Sequence, residues 1–530
     1  MKIKMQPWRP LPALCAAFLF LSTLMNIDYP GGLTWRLLLP SLDVFLLLLL
    51  LALAAWGGKR TLFWTGLAVG VLFLALRLFR IGDAAVPQYL NRPFNLYIDS
   101  GYLFGLYDLL KTSARPGEFL LLSATALTLA LAVIASSAFA WRTAARALAD
   151  KRVRISFLVA SVFIFGAVWA WGWGPAGPPT MRRLGQELLL IRAQLAQTRA
   201  FVTHLEQTAN DRATGSFSLK GLAGADVLVF MVESYGRTVF TRPRYRPAME
   251  ATLADFSKRL EPHGFQALST YLLSPTYGGS SWLAHDTLES GVRVANDLED
   301  AALLRSALPP MASYFRANGY RTVSVMPGTR FSFPQGAYFA YEQVYYAGDF
   351  GYRGPTFGWA PMPDQFVLDW VRRREFTRRG QPLFVRYVLV SSHAAFNIQP
   401  PFIPDWDLIG DGRIYNDLAP VYYPIYWPDL QNAGEAYLRS LDYEFQTIGD
   451  YLVKYVTTDS LIIVMGDHQP NLQLTAPNEP WSVPVHVISR NPRLLDPFRK
   501  RGYTPGPIPT QPLPHAGTET FLQGFLEDFR

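Results

Sequence analysis

Long uninterrupted apolar segments in the first third of the chain restrict what it can fold into more than any other feature. One of them, at residues 42–56, reads LDVFLLLLLLALAAW. Five stretches have about the 20 apolar residues that a bilayer core requires, or nearly so. They cover residues 11–27, 36–57, 61–79, 117–141 and 155–173. The sequence therefore predicts an anchor of five transmembrane helices. A signal peptide is the alternative for the first run, although it lacks a small-x-small cleavage site.

Basic residues near these segments indicate how the anchor is oriented, because they favour the cytoplasmic side. They cluster before the first span, between the second and third, and between the fourth and fifth: Lys2, Lys4, Arg9, Lys59, Arg60, Arg142, Arg146, Lys151, Arg152 and Arg154. With five spans, these clusters share one side, and everything after residue 175 lies on the other. All seven histidines are in that second part, so we expect any histidine chemistry outside the cytoplasm.

The charge and cysteine content exclude several classes of function. The chain of 530 residues is 50% hydrophobic and 17% charged, and its formal net charge of +8 is modest for that length. Because part of this charge flanks the apolar segments, we do not expect nucleic acid as a partner. Cys15 is the one cysteine, which excludes an intrachain disulfide and a thiolate metal site.

The composition predicts three parts, at residues 1–178, 179–218 and 219–530. The first is the transmembrane domain. The second carries a helical pattern of mixed charge, which predicts a juxtamembrane linker helix that lies along the membrane surface or packs on the next domain. The third is an extracytoplasmic domain in which buried strands alternate with helices. This alternation predicts an α/β fold with a mostly parallel central sheet and helices on both faces.

Polar residues follow three of the predicted strands. Glu233 follows strand 226–232, His393 follows strand 383–390, and Asp467 and His468 follow strand 461–465. In sheets of this kind the ligand site lies beyond the carboxyl ends of the strands. The sequence therefore predicts that these side chains meet at one edge. The alternatives are a capping or salt-bridged glutamate, a structural histidine and an Asx turn.

These residues, in this order on an alternating chain, resemble the alkaline phosphatase and sulfatase superfamily. The closer likeness is to its membrane-anchored branch of lipoteichoic acid synthases, phosphoglycerol transferases and phosphoethanolamine transferases. It covers the anchor, the linker helix and nearly all of residues 222–530. The resemblance implies that Glu233 in VLVFMVES and the Asp467-His468 pair in IIVMGDH are metal ligands. It also implies that His393 in VSSH contacts the substrate phosphate.

The family's nucleophile lies at the start of a helix, and the stretch YGGSSWLAHDTLESG offers two adjacent serines. The family pattern has a small residue three positions on and Thr-Gly nine and ten positions on. Counting from Ser281 puts Ala284 at the small position, and Ser290 and Gly291 follow where the family has Thr-Gly. The register thus favours Ser281, with Ser280 as the alternative nucleophile. Glycines before a helix N-terminus suit a phosphate, whereas an ordinary helix cap is the competing interpretation.

The chain also departs from the sulfatase pattern Cys/Ser-x-Pro-x-Arg. Leu283 and His285 stand where sulfatases have the Pro and Arg that direct formylglycine formation. Ser281 is therefore expected to stay an unmodified serine, which favours phosphoester over sulfate-ester chemistry. His285 becomes a candidate substrate contact or a helix-surface histidine. Arg330, in MPGTRFSF after another predicted strand, is a candidate for binding phosphate.

The sequence and the resemblance together predict a multi-pass enzyme of a bacterial inner (plasma) membrane. A phospholipid head group, phosphoglycerol or phosphoethanolamine, would move to Ser281 and then to an envelope glycan or lipid. One divalent ion, Zn²⁺ or Mn²⁺, suits oxygen and imidazole ligands without thiolate. Two alternatives stay open: a phosphodiesterase or phosphatase with water as acceptor, and an inactive scaffold. The aromatic-rich segment 336–360 is a candidate lining of the acceptor cleft or part of ordinary packing.

Overall fold

Helices dominate the N-terminal part of the chain. The computed structural model describes residues 10–27, 35–53, 59–101, 107, 116–171, 180–213, 217–330, 334–377, 380–425, 430–476, 478–513 and 515–530. Two compact units are present, Met1–Pro87 with Arg92–Ala196, and Gln88–Asn91 with Gln197–Arg530. The first seven helices are α1 (Pro10–Asn26), α2 (Leu42–Leu53), α3 (Lys59–Leu90), α4 (Leu96–Asp99), α5 (Pro116–Leu148), α6 (Lys151–Trp171) and α7 (Thr180–Ala213).

Two segments of these helices are long and apolar enough to cross a membrane, Leu62–Leu90 in α3 and Gly117–Leu148 in α5. Helices α1 and α2 are apolar but shorter. The predicted spans 36–57 and 155–173 both run into positions that lie outside the described residues. The arrangement of five transmembrane helices therefore stays a prediction.

The surface of α5 exposes a row of leucines. Leu120, Leu121, Leu127 and Leu129 are 67%, 68%, 61% and 63% exposed. A row of exposed leucines of this density is unfavourable in water and marks a surface that another apolar phase covers. Helix α5 thus supports a membrane-associated N-terminal unit.

The second unit is built on an eight-stranded sheet. Its helices are α8 (Thr238–Thr241), α9 (Arg246–Leu260), α10 (Ser281–Ser290), α11 (Asp297–Leu303), α12 (Met311–Ala317), α13 (Asp364–Glu375), α14 (Gly434–Tyr455), α15 (Pro492–Lys500) and α16 (Thr520–Asp528). Its strands are β1 (Asp226–Val232), β2 (Gln266–Leu273), β3 (Arg321–Met326), β4 (Gln343–Tyr346), β5 (Leu383–Leu389), β6 (Ile398–Gln399), β7 (Val421–Tyr422), β8 (Ser460–Gly466), β9 (Ser482–Ser489) and β10 (Thr504–Pro505). The order in the sheet is β10-β2-β9-β8-β1-β5-β3-β4, and β6 pairs with β7 separately.

The sheet is mixed rather than uniformly parallel. Strands β8, β1, β5, β3 and β4 are parallel neighbours. Strand β9 runs antiparallel to both β8 and β2, and β10 runs antiparallel to β2. Strand β2 therefore points the same way as β8, so its carboxyl end lies at the same edge. The predicted alternation of strands and helices is confirmed. The sequence pattern also located β9 as a strand, but it did not reveal that β9 is antiparallel, and it did not predict β10.

Alternate residues of β1 pack on opposite helical layers. Leu228, Phe230 and Val232 belong to a core formed with α9, α13 and α14. Val227 and Met231 belong to a second core formed with α12, α15 and α16. Because both faces of the strand are covered, its sequence is a continuous apolar run rather than an alternating one.

The close approach between the carboxyl end of β8 and the turn after β1 depends on a glycine. A Cβ at Gly466 would overlap the backbone carbonyl of Tyr235. We expect Gly466→Ala to lower the free energy of unfolding by about 1–3 kcal/mol, because the added methyl group must push packed backbone apart. Thermal and denaturant unfolding of the full chain in detergent measures the change.

Gly348→Ala is the matched control for this prediction. Gly348 is exposed, and a Cβ there meets no atom within 4 Å. Equal unfolding midpoints for the two variants would contradict the close approach.

Candidate active site

Two carboxylates lie side by side where β1 and β8 end. Val232 of β1 pairs in parallel with Gly466 of β8, so the residues that follow, Glu233 and Asp467, leave the sheet together. His468 follows directly. The ligand atoms of these three buried side chains all lie within 4.8 Å of one another. The strand-end rule therefore correctly brought these residues together.

Hydrogen bonds from Ser234 and from the His468 N–H hold the two carboxylates in place. The Ser234 N–H donates to Asp467 Oδ1 over 2.8 Å, and the Ser234 hydroxyl donates to Glu233 Oε1 over 2.9 Å. Ser234 has a φ of 60°, a left-handed conformation that costs energy for a residue with a Cβ and that is frequent at functional sites. The His468 N–H also donates to Asp467 Oδ1, over 2.6 Å.

The orientation of His468 turns one ring nitrogen towards the carboxylates. Its Nδ1 lies 2.7 Å from the Gln469 carbonyl, to which it donates. Its Nε2 is 3.3 Å from Glu233 Oε1 and 3.7 Å from Asp467 Oδ2. A histidine that donates from one nitrogen and presents the other to acidic groups has the arrangement of a metal ligand.

Ser281 reaches this group from the start of α10. Its hydroxyl donates to Glu233 Oε2 over 2.9 Å and lies 3.1 Å from His468 Nε2. Helix α10 begins at Ser281, and Ser280 occupies the N-cap position with a φ of 61°. The sheet topology explains why Ser281 lies here. Strands β2 and β8 run in the same direction, so the segment that follows β2 and leads to Ser281 starts at the edge where β1 and β8 end.

The electrostatics of the cluster show a deficit of positive charge. Burial raises the pKa of Asp467 to about 8, and the neighbouring Glu233 carboxylate adds to this effect. Burial also disfavours the charge of Glu233, but His468 and then His393 outweigh it and lower the pKa of this carboxyl. For His468, burial opposes protonation, but Asp467 and Glu233 raise its pKa to about 9. The group therefore retains protons that a cation would replace.

The donor set fits one divalent ion. Two carboxylates, an imidazole and a hydroxyl supply four oxygen or nitrogen ligands without thiolate, a set that suits Zn²⁺ or Mn²⁺. Ser281 has one hydroxyl proton, which Glu233 accepts, and His468 Nδ1 donates to a carbonyl. The Ser281–His468 contact thus needs a positive centre at Nε2, whether a proton or a metal ion.

His393 lies near this centre and is covered by an aromatic side chain. Its charge acts on Glu233, and its Nδ1 is 2.6 Å from the Ala394 carbonyl, which leaves Nε2 as the other polar atom of the ring. Trp359 stacks on the imidazole, with ring centroids 4.0 Å apart and planes 13° apart. Arg330 is exposed and donates to the Trp359 carbonyl over 3.0 Å. The structure therefore brings Arg330 to the segment that covers His393.

His285 lies one turn after Ser281 and is only 8% exposed. Burial, together with the positive charge of Arg386, lowers the pKa of His285 to about 3, so its ring is neutral at physiological pH. The histidine is on an interior face of α10 rather than on the helix surface that one sequence interpretation expected. Its Nδ1 has no hydrogen-bond partner among the described residues.

Sequence reasoning missed two residues of this site. Ser234 carries no motif of its own, since only its left-handed backbone reveals that it closes the turn after β1. Trp359 lies within the aromatic-rich segment 336–360. The stacking on His393 was not predictable, because it depends on how a loop folds over another strand end.

Comparisons with known proteins find similarity only at the level of solved structures. No family model and no curated protein matches the chain. The lipoteichoic acid synthase LtaP from Listeria monocytogenes aligns with 16% identity over 53% of this chain and 70% of that chain, with a TM-score of 0.36. The Streptococcus pyogenes phosphoglycerol transferase GacH aligns with 11% identity over 62% and 91%, with a TM-score of 0.37.

A third structure extends the comparison. The soluble domain of lipooligosaccharide phosphoethanolamine transferase A from Neisseria meningitidis aligns with 9% identity over 59% of this chain and 89% of that chain, with a TM-score of 0.38. The chain is thus similar to phosphoglycerol and phosphoethanolamine transferases and to members of the alkaline phosphatase superfamily.

We expect the purified full chain to bind about one Mn²⁺ or Zn²⁺ ion. Glu233→Gln and Asp467→Asn should each weaken binding by at least about tenfold, since each removes an anionic ligand. Metal content after gel filtration in metal-containing buffer, measured by inductively coupled plasma mass spectrometry, tests this.

Asp369→Asn is the control for that experiment. Asp369 is also buried, but it is paired with Arg372 and Arg373 on α13. This variant should keep the bound ion. Full metal occupancy in Asp467→Asn would show that the ion binds elsewhere.

Proposed function

We propose that the protein is a membrane-anchored, metal-dependent phosphotransferase that moves a phospholipid head group through a covalent phosphoserine. The observation that carries this proposal is the position of the Ser281 hydroxyl, 2.9 Å from Glu233 Oε2 and 3.1 Å from His468 Nε2. A serine at a helix N-terminus that contacts two metal-competent side chains is suited to attack an anionic ester. The similarity to solved transferases agrees with this proposal but does not carry it.

The reaction consists of two displacements at phosphorus. In the first, Ser281 Oγ loses its proton and bonds to the head-group phosphorus, the bond from phosphorus to the diacylglycerol oxygen breaks, and that oxygen takes up a proton as diacylglycerol leaves. In the second, an acceptor hydroxyl loses its proton and bonds to phosphorus, the bond to Ser281 Oγ breaks, and the serine oxygen takes up a proton. Phosphoglycerol and phosphoethanolamine are the head groups that we propose, and the acceptor is a hydroxyl of an envelope glycan or lipid.

Glu233, Asp467 and His468 would hold the divalent ion, with Ser281 as the fourth ligand. A divalent ion bound there supplies positive charge that lowers the pKa of the serine hydroxyl. In this geometry the Ser281 hydroxyl donates its hydrogen bond to Glu233. The N-terminus of α10 adds a partial positive charge next to the transferred phosphate.

The other candidate residues have proposed roles around the phosphate. His393, with Nδ1 donating to the Ala394 carbonyl, presents Nε2 for phosphate binding and for proton transfer at the leaving or attacking oxygen. Trp359 keeps the ring of His393 in one plane. Arg330 is proposed to bind phosphate oxygens. His285 of α10 is proposed to contact the substrate as a neutral imidazole, consistent with its lowered pKa.

The apolar N-terminal helices agree with a lipid donor. Helices α3 and α5 contain segments that are long and apolar enough to span a membrane, and α5 exposes a row of leucines. We propose that five helices anchor the enzyme in a bacterial inner membrane and that residues 219–530 act outside the cytoplasm, connected through α7. A tethered enzyme has a high effective concentration towards lipid substrates.

We expect incubation of the full chain in detergent with Mn²⁺ and short-chain phosphatidylglycerol or phosphatidylethanolamine to give a covalent head-group phosphate adduct. Ser281→Ala should abolish the adduct, because it removes the attacking oxygen. Intact-mass measurement detects the adduct, and the added mass identifies the donor.

Ser280→Gly is the matched control, because glycine adopts the left-handed conformation of residue 280 without strain. An adduct that persists in Ser281→Ala and disappears in Ser280→Gly would show that Ser280 is the nucleophile. Release of free head-group phosphate in the presence of a glycan acceptor, without labelled glycan, would favour the hydrolase instead.

A further inference from the structure

The turn that carries His393 is connected to the proposed metal site. This turn comprises residues 390–393 and follows β5 directly. The His393 N–H donates to the Val390 carbonyl over 3.1 Å, which closes the turn. The Ser392 hydroxyl donates to the backbone carbonyl of Glu233 over 2.7 Å. A displacement of the turn therefore moves His393 and disturbs a metal ligand at the same time.

Asp364, the first residue of α13, holds this turn from inside the protein. Its Oδ2 accepts the N–H groups of Val390, over 2.7 Å, and Ser391, over 2.5 Å. In return, the Asp364 N–H donates to the Ser391 hydroxyl over 3.0 Å. Asp364 is completely buried, so these bonds are made without competition from water.

A second completely buried acid, Glu444 of α14, faces Asp364. Asp364 Oδ1 and both carboxyl oxygens of Glu444 make no hydrogen bond of good geometry with the described residues, although the nearby backbone groups of Ser391 and Ser392 favour the ionised form of Glu444. Two buried carboxylates in contact, both ionised, would be strongly unfavourable. A single proton between them removes one of the two charges and links Asp364 Oδ1 to one carboxyl oxygen of Glu444, as in other buried carboxyl pairs. Burial and the partner's charge raise the pKa of Glu444 well above its usual value.

We propose that Asp364 and Glu444 share one proton, and that this carboxyl pair is the positioning unit of the 390–393 turn; its importance for turnover rests on the proposed function of His393. Glu444 is the protonated partner and donates to Asp364, which remains the acceptor for the two backbone N–H groups. Tyr437, two turns earlier on α14, donates to the Ser234 carbonyl over 2.8 Å. Helix α14 thus supports the turns after both β1 and β5.

The shared proton makes the turn sensitive to a rise in pH. Because the native state raises the pKa of Glu444, the stabilisation is complete below the ordinary carboxyl pKa and decreases as the pH rises through the native value. Other titratable groups near the pair are Tyr443 on α14 and His393 at the end of the turn. Burial raises the pKa of Tyr443, and Tyr415 and both carboxyl groups add to this, so Tyr443 remains neutral in the same range.

Hydrogen–deuterium exchange of the full-length protein in detergent tests the pair without reference to activity. Glu444→Leu removes the donor at similar side-chain volume, whereas Glu444→Gln keeps an N–H donor and removes the titration. We expect Glu444→Leu to lower exchange protection in residues 390–393 by about tenfold or more, since Asp364 becomes an unpaired buried charge. Glu444→Gln should stay within about threefold of wild type and keep its protection as the pH rises above the ordinary carboxyl pKa, where wild type progressively loses it.

Glu375→Gln is the control for general destabilisation. Glu375 is buried and bonded to Arg321 at the opposite end of the sheet, so this variant should leave protection in 390–393 unchanged. Equal loss of protection in Glu444→Gln and Glu444→Leu, or no loss in either, would overturn the shared proton.

Activity then separates the two proposals. If head-group transfer falls with protection in Glu444→Leu and its alkaline limit moves to higher pH in Glu444→Gln, the pair positions a residue of the reaction. If exchange protection changes as expected while head-group transfer stays the same, the shared proton between Asp364 and Glu444 is supported. The proposed role of His393 in the reaction is then wrong.

Discussion

The placement of two buried carboxylates next to each other is the constraint on which the rest of the catalytic unit depends. Glu233 and Asp467 follow parallel neighbouring strands, and neither has solvent to stabilise its charge. The surrounding structure therefore supplies what it can: the N–H groups of Ser234 and His468, the imidazole and the serine hydroxyl. A divalent ion bound at this cluster would add positive charge, and these four side chains would be its ligands.

The same edge of the sheet is stabilised from opposite faces. Helix α10 brings a hydroxyl and a helix N-terminus to the carboxylates, and its buried Leu288 packs with the α12, α15 and α16 layer. Helices α13 and α14, on the other face, hold the turns after β1 and β5 through Asp364 and Tyr437. The chemistry is therefore confined to short segments after the strands, whereas their positions are determined by two independently packed helical layers.

Much of this arrangement could be predicted from particular residues. Continuous apolar runs located β1, β5 and β8, and the strand-end rule then brought Glu233 to the Asp467-His468 pair. The sequence did not reveal the antiparallel β9 between β2 and β8, because strand order depends on long-range pairing rather than on local periodicity. The contact between Asp364 and Glu444 was equally invisible, since the two acids are far apart in the chain and each alone resembles an ordinary helix residue.

The central claim is that one metal ion lies between Glu233, Asp467, His468 and the Ser281 hydroxyl. Anomalous X-ray scattering from crystals of the protein grown with Mn²⁺ tests this most directly. We expect one strong manganese peak at about 2.0–2.3 Å from an atom of each of these four side chains. A manganese peak elsewhere, or none at these residues in a protein that still transfers head groups, would contradict it.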